Sequence, residues 1–494
     1  MKIKFSLLFI FIAILAFFPS VFAASYDVKS LDGKIKVDFL EQFRVESWST
    51  FDTGAPDRDN SYTFASSKMR LGAGFFTKWI DTYAQLHWTQ FFGLPDDAMY
   101  GTGALYYGQN NGSENVGYAG VSQAWIRGRL PWVEGLSARV GRMKINGGLE
   151  ANTLPTNKTL KWLRKKRVSQ RMLGAFEWSR VGRSYDGFDA AYDAEFWNIT
   201  TTYSHPRPGG FHLNIMDTED NGYSTDDIDI VTVTLTMKDK LYQGVDAQAF
   251  YYYYNDHRDV RKGIAREAEV SSLGTNIIYN TPKIGPGAFD LLFWGVTQFG
   301  TWTPQKGNRE DQGGYALDFE AGYKFHDIMW QPWIRGGYFY GSGDSDPTDD
   351  DHDTFFQMIP TLRIYAMTPF YNLMNTKYFF GEIMFKPWKK LLVRTDVTKL
   401  NLTNSRDAWY QGSGMTTADS FGYGAKTAHI GKGHDDLGTM WDLSFFFNNL
   451  YNYQGASLGL NLYYSHVFGG DVIEDNFKDD EDMDFFYVEA IIKF

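Results

Sequence analysis

The last nine residues, FYVEAIIKF (Phe486–Phe494), alternate: Phe486, Val488, Ala490, Ile492 and Phe494 fall on one face, and Tyr487, Glu489 and Lys493 on the other. Side chains that alternate with period two belong to a β-strand with one apolar face and one wet face. The same pattern recurs back along the chain, at 34–45, 68–79, 83–92, 121–130, 136–144, 228–237 and 244–253. It continues at 288–299, 315–325, 333–341, 377–385, 391–400, 437–447 and 456–468, with Gly, Asn, Asp and Pro clusters between the segments. No long stretch has helical period. Segments of this length suit a bilayer, which takes strands of ~9–11 tilted residues, better than a soluble sheet, where ~5–6 is usual. The candidates number roughly nineteen; bacterial single-chain barrels have even strand counts, and 354–366 is interrupted by Pro360, so the expectation is an all-β, antiparallel transmembrane barrel of about eighteen strands.

The start of the chain supports export. Lys2 and Lys4 precede an apolar run from Phe5 to Phe18, then Pro19 and Val21-Phe22-Ala23, the layout of a cleavable secretory signal. Residues 1–23 are therefore expected to be a signal peptide and 24–494 a single outer-membrane barrel domain. Loss of the two lysines takes the formal charge from −11 to −13, which argues against nucleic acid as a partner. The absence of cysteine excludes a disulfide framework, thiolate metal sites, Cys nucleophiles and covalent haem attachment. Beyond the signal no run approaches the ~20 apolar residues of a spanning helix, whereas 17% aromatic residues and 49 glycines suit strands apolar on one side only.

The aromatic C-terminal residue and its alternating strand also resemble the signature by which outer-membrane barrels of Gram-negative bacteria are recognised for assembly. In an even-stranded barrel both termini lie on the periplasmic side, which makes the acidic stretch 469–484, the Asp-rich stretch 342–353 and the stretch 147–174 external loops. Short links such as 132–135 and 387–390 are then periplasmic.

Alternation assigns the residues that face the lumen. Ala124, Ile126 and Leu130 on the lipid side put Gln123, Arg127 and Arg129 inside; Ala138 and Val140 do the same for Arg139; Met69, Leu71 and Ala73 for Lys68 and Arg70; Leu391, Val393 and Val397 for Arg394 and Asp396. Arg335 and Arg44 are inward by a weaker version of the argument. Guanidinium groups in a narrow passage attract anions and grip carboxylates through paired hydrogen bonds. The competing reading is structural: the same arginines pair with inward acids such as Asp38, Glu46 and Asp396. The stretch 147–174 carries Lys158, Lys161, Arg164, Lys165, Lys166, Arg167 and Arg171 against a single acid, Glu150, and is expected to lie across the mouth or bind anionic lipopolysaccharide. Asp344, Asp346, Asp349 and Asp351 form an oxygen-rich cluster that could hold Ca²⁺, but it lacks EF-hand spacing, and a solvated acidic loop is the stronger reading. No other cofactor is expected. The histidines are scattered, no G-x-S-x-G occurs and no glycine-rich turn links a strand to a helix, so an enzyme is not expected; the remaining opening for a hydrolase is His205, His257, His352 and Asp256 in or near loops.

The segment FEWSRVGRSYDGF (Phe176–Phe188), preceded by RVGRMKI (Arg139–Ile145), resembles the hallmark of the alginate-export porin family. YGSGDSDPTDDDHDTFFQMIPT (Tyr340–Thr361) and LGTMWDL (Leu437–Leu443) resemble its later motifs, with Met358 and Ile359 where the family has an aromatic before the proline. That resemblance implies a monomeric barrel with an electropositive, arginine-lined constriction that passes an anionic uronic-acid polymer, with Arg142 and Arg183 at the pore or its rim. Small anions suit the residues equally well, and the parity of Arg142 matches that of lipid-facing Val140. The expectation is an outer-membrane channel for anionic solutes or an anionic polysaccharide, in contact with outer-membrane lipid and lipopolysaccharide; the alternative is a scaffold or sheath for a partner complex.

Overall fold

A computed structural model describes residues 25–494 apart from 29–31, 53, 55–57, 59, 152–153, 208–226, 258–266, 304–307, 415–422, 454 and 478–481. The expected signal peptide lies outside the described residues. Eighteen strands form one closed antiparallel barrel. They are β1 (Gly33–Ser49), β2 (Ser61–Thr77), β3 (Ile80–Phe92), β4 (Val116–Arg129), β5 (Leu136–Met143) and β6 (Ser184–Asp193). β7 (Trp197–Arg207), β8 (Ile228–Met237), β9 (Val245–Asp256), β10 (Glu267–Asn280), β11 (Gly287–Thr303) and β12 (Tyr315–Phe325) follow. β13 (Trp333–Gly341), β14 (Thr376–Trp388), β15 (Leu391–Leu402), β16 (Asp436–Tyr453), β17 (Ala456–Gly469) and β18 (Met483–Lys493) complete the wall.

Closure is made by the strand that opened the sequence reading. β18 pairs with β1 from Lys493↔Leu40 to Asp484↔Ser49, and the seam is fastened by stacked rings, Trp48 on Phe485 at 3.8 Å and Phe39 on Phe494 at 5.2 Å. A closed barrel leaves no unpaired strand edge, which is the condition for crossing hydrocarbon with sheet. The faces are inverted relative to a water-soluble fold: Val140 and Phe379 on the outside are 56% and 64% exposed, while Asp246 and Asp318 on the inside are fully buried.

Connections are short at one end of the barrel and long at the other, and among the described residues the long stretches after β5 and β13 turn inward. The stretch 354–366 is not a strand. Phe355, Phe356, Met358, Ile359 and Leu362 from it are buried inside the barrel against Leu160, Leu163, Met172 and Leu173 from the stretch that links β5 to β6. The two stretches share a parallel bridge, Leu173 with Ile359, flanked by Ile359 N donating to Met172 O at 2.9 Å and Thr361 N to Gln170 O at 2.9 Å. Pro360 does no harm in this short pairing, because the residues on either side of it, Ile359 and Thr361, donate the backbone bonds and the proline is asked for none.

Candidate functional site

The expectation that 147–174 is an external loop is corrected by its contacts. Leaving β5 at the long-loop end, this stretch runs down the lumen to the opposite end, where Thr156 donates from N and Oγ1 to Asp239 Oδ2 at 2.9 and 2.7 Å and Asn157 Nδ2 to Asn280 Oδ1 at 2.9 Å. Asp239 and Asn280 flank the short turns after β8 and β10. The chain then climbs back as a helix, Lys158–Leu163, continued by a wider turn over Arg164–Val168. Asn157 starts the helix: its side-chain oxygen accepts from Thr159 N at 2.8 Å and Leu160 N at 3.2 Å.

The physical reason for this inward path is the wall it lies on. Arg164 and Arg167 lie on the inward side of the helical turns, and Arg171 follows just past their end at Val168. Arg164 meets Asp246 and Asn276, and donates to Gln248 Oε1 at 2.6 Å. Arg167 grips both oxygens of Glu320 from Nε at 2.9 and 3.0 Å, and Arg171 pairs with Asp318 and, at 3.1 Å, with Glu320. Arg335 on β13 completes the cluster, at 3.0 Å from Asp290 and 2.8 Å from Glu320. Every one of these groups is buried. An excess of base on one stretch of an acidic protein is thus matched by inward acids of the barrel wall, and lipopolysaccharide is not what Arg164, Arg167 and Arg171 touch.

The lysines of the same stretch do the opposite. With Leu160, Leu163, Arg164 and Arg167 turned to protein, Lys158, Lys161, Lys165 and Lys166 are left exposed to water on the other side of the helix. Lys158 and Lys165 are about 10 Å apart along the axis at 1.5 Å per residue. Arg363, which the sequence reading did not single out, stands over the rings of Tyr463 at 4.5 Å and Trp178 at 4.8 Å and donates to Tyr487 Oη at 3.2 Å. Among the described residues none of these five cations forms an ion pair with a carboxylate.

The arginines expected to line the pore divide into three groups. Six point into the barrel, five of them against an acid: Arg70 on Glu177, Arg129 on Asp81, Arg139 on Asp189, Arg335 as above, and Arg394 on Glu382 and Asp396. The sixth, Arg127, donates instead to the carbonyl of Glu150 at 3.0 Å. Arg183 is buried among the inward loops and donates to the carbonyls of Gly174, Ile359, Pro360 and Ser413, so it ties three stretches together, and it contributes to the lining of a cavity bounded by Tyr100, Phe176 and Trp178. Arg142 shares the outward side of β5 with Val140, as its parity indicated, and is bonded to Asp186 on β6.

The acidic cluster lies at the long-loop rim. Among the described residues no three His, Asp or Glu side chains converge to hold a metal ion, the aspartates at 344, 346, 349 and 351 included. Asp344 is taken up by local hydrogen bonds, accepting from Asp346 N at 2.9 Å. Burial and the charges of Asp344, Asp349 and Asp350 push Glu310 up to about 7, and burial with Asp407, Asp349 and Asp353 pushes Asp344 up to about 6. Carboxyls that titrate above their unfolded values take up protons on folding, so their contribution is present below about pH 4 and is lost as pH rises through about 6 to 7. The short pairing of Glu310–Gln312 with Asp351–His352 is held by Asp311 N to Asp350 O and Gly313 N to His352 O. Hydrogen-exchange protection factors of those two amides are therefore expected to be lower at pH 8 than at pH 5, and Glu310→Gln to remove most of the difference; equal protection at both pH values would refute this. Nor do the histidines assemble a site: His205 faces out of the barrel beside Asp229 at 3.6 Å, whereas His352 is buried and stacked on Trp302.

Comparison with known proteins agrees with this architecture. The sequence profile described as alginate export matches residues 37–487. None of the curated proteins matches the chain in sequence. Among solved structures it is similar to OccAB2 of Acinetobacter baumannii, with a TM-score of 0.56 and 9% identity over 93% of this chain and 98% of that one. It is also similar to the outer membrane protein OpdK of Pseudomonas aeruginosa (TM-score 0.54, 8% identity, 93% and 99% covered) and to OccK8 of the same organism (0.55, 10%, 93% and 98%). At such identities the likeness is one of fold.

Proposed function

This chain belongs to the alginate-export family and is an outer-membrane channel, and on that premise we propose that it passes anionic solutes, carboxylated sugars among them, along the lysine-bearing side of the segment folded into its lumen. The observation that carries the reading is the division of labour on that segment. Its arginines are neutralised by the wall, whereas Lys158, Lys161, Lys165 and Lys166 hold positive charge toward water. Charge confined in a low-dielectric tube focuses its field along the water path, so cations are repelled and anions concentrated. A row of separate ammonium groups binds an anion at several weak sites, which lets it enter and leave again.

The barrel acts alone and without a cofactor in this reading. A sheath for another protein needs an empty interior, and here the chain's own loops occupy it. The test is the reversal potential of the folded protein in planar bilayers under a salt gradient. Chloride is expected to carry more current than potassium; a preference for potassium, or no conductance from correctly folded protein, would overturn the proposal.

A further inference from the structure

At the short-turn end, the foot of the inward segment stands among lysines of the wall. Lys158 and Trp162 lie one turn apart on the helix Lys158–Leu163, and Trp162 packs on Trp333 of β13 with ring centroids 4.7 Å apart. Lys324 of β12 is the register partner of Trp333 and holds its Nζ over the same ring at 4.7 Å. Lys386 of β14 lies two residues past buried Met384, the partner of Trp333 on its other side. Its N donates to Trp330 O at 2.8 Å, in the turn that follows Lys324. Lys324 is thus within electrostatic reach of both Lys386 and Lys158.

The acids around this foot are already engaged. Asp290 accepts from Trp333 Nε1 at 2.6 Å and Arg335 Nε at 3.0 Å, Asp239 accepts from Thr156 and Asn157, and Asp327 is paired with Lys283. Among the described residues none of Lys158, Lys324 and Lys386 forms an ion pair with a carboxylate, and Lys158 and Lys386 are exposed. The opposite end of the barrel has the other sign, with Asp346, Asp349, Asp350 and Asp351 exposed at the long-loop rim. Like charges held together without counter-ions repel one another, and an ion that carries a single charge relieves this only in part. We infer that the foot is an entry site for multiply charged anions, compounds with several carboxylate or phosphate groups, and that the channel accepts them from the short-turn side in preference to the long-loop side. This rests on the anion path proposed above; it adds Lys324 and Lys386 to the residues that set selectivity, and it gives the path a direction.

The test uses the full chain in planar bilayers, with sodium triphosphate as the probe, added to one chamber and, in a separate experiment, to the other. Channels are recorded one at a time, so that either orientation of insertion can be read. Triphosphate is expected to interrupt the chloride current from one side at a concentration about tenfold lower than from the other, an effect of the size that unpaired charges close to a polyvalent ion give after screening. Lys324→Gln with Lys386→Gln should raise the blocking concentration on the sensitive side about tenfold and leave the other side as it was. Lys324→Arg with Lys386→Arg, which keeps the charge, should keep the asymmetry. Heat-modified gel mobility verifies that each variant is a folded barrel. Equal block from the two sides by the parent, a parent-like asymmetry in the folded Gln variant, or a change confined to the insensitive side would overturn the inference. The reversal potential in potassium chloride alone separates the two readings: chloride preference with symmetric block removes the entry site and leaves the anion channel standing, whereas potassium preference removes both.

Discussion

Replacing Glu320 by Leu is expected to release the segment inside the barrel and to open the channel. Glu320 accepts from Arg167, Arg171 and Arg335. After its loss Arg171 still has Asp318 and Arg335 still has Asp290, but Arg167 keeps the carbonyl of Ile364 at 3.4 Å and the ring of Phe380 at 4.6 Å, with no carboxylate bonded to it. A buried ion pair adds little net stability, yet removing one partner and leaving the other charge uncompensated costs ~3–5 kcal/mol. Undocking the segment lets Arg167 reach water at the expense of its local contacts, while the hydrogen-bonded wall persists. Trypsin is then expected to cut between residues 164 and 171 in a barrel that otherwise resists it. Single-channel conductance should rise several-fold, as an eighteen-stranded barrel without its filling leaves a wide aqueous lumen. Glu320→Gln, which keeps the shape and loses the charge, should fall between the two. If Glu320→Leu resists trypsin like the parent and conducts no more, the segment is not held by this cluster.

Removing the lysine row should abolish selectivity and spare the fold. An ammonium some 8 Å from the ion path contributes about 2 kcal/mol at an effective dielectric near 20, before screening, and 0.15 M salt screens over about the same distance. Changing Lys158, Lys161, Lys165 and Lys166 to Gln together is therefore expected to lower the chloride-to-potassium permeability ratio about tenfold, equivalent to ~1.4 kcal/mol. The four side chains are exposed and bonded to no acid, so the melting temperature should scarcely move. A matched control removes an internal pair without changing net charge: Arg139→Gln with Asp189→Asn deletes one lumenal ion pair and should leave the ratio as it was. Equal ratios in parent and lysine variant would place selectivity elsewhere in the lumen.

The wall was legible in the sequence because lipid imposes a simple rule on it. Each spanning strand must show apolar side chains to hydrocarbon, so alternation marks both the strand and its inner side, and 228–237, 315–325 and 333–341 emerge with the observed boundaries. Strands such as Gly287–Thr303 run on past their expected ends, since beyond the membrane both faces are polar and period two no longer shows. Loops obey no such rule. Whether a basic stretch lies over the mouth or inside the barrel depends on what it finds there, and its partners are scattered over β9, β10 and β12. Two signals were nevertheless available. Arg164, Arg167 and Arg171 with Leu160, Leu163 and Val168 have helical spacing over a short span, and parity places Asp246, Asp318 and Glu320 inside, awaiting cations. Arg142 shows parity and resemblance in conflict, and parity, which has a physical cause at that position, describes its side of the wall.

The inward segment also touches the seam. Arg44 of β1 donates to Glu489 of β18 at 2.7 Å and, through the same nitrogen, to the carbonyl of Trp178 at 3.1 Å, while Arg180 reaches Glu489 at 2.8 Å and the carbonyl of Gln42 at 3.3 Å. First and last strands are thus joined partly through a piece of chain made in between. During biogenesis the terminal zippering of the sheet and the insertion of its stopper are therefore coupled: a nascent protein whose filling has not arrived lacks the Trp178 and Arg180 contacts of its final joint, and an unfilled, leaky cylinder is disfavoured by their absence.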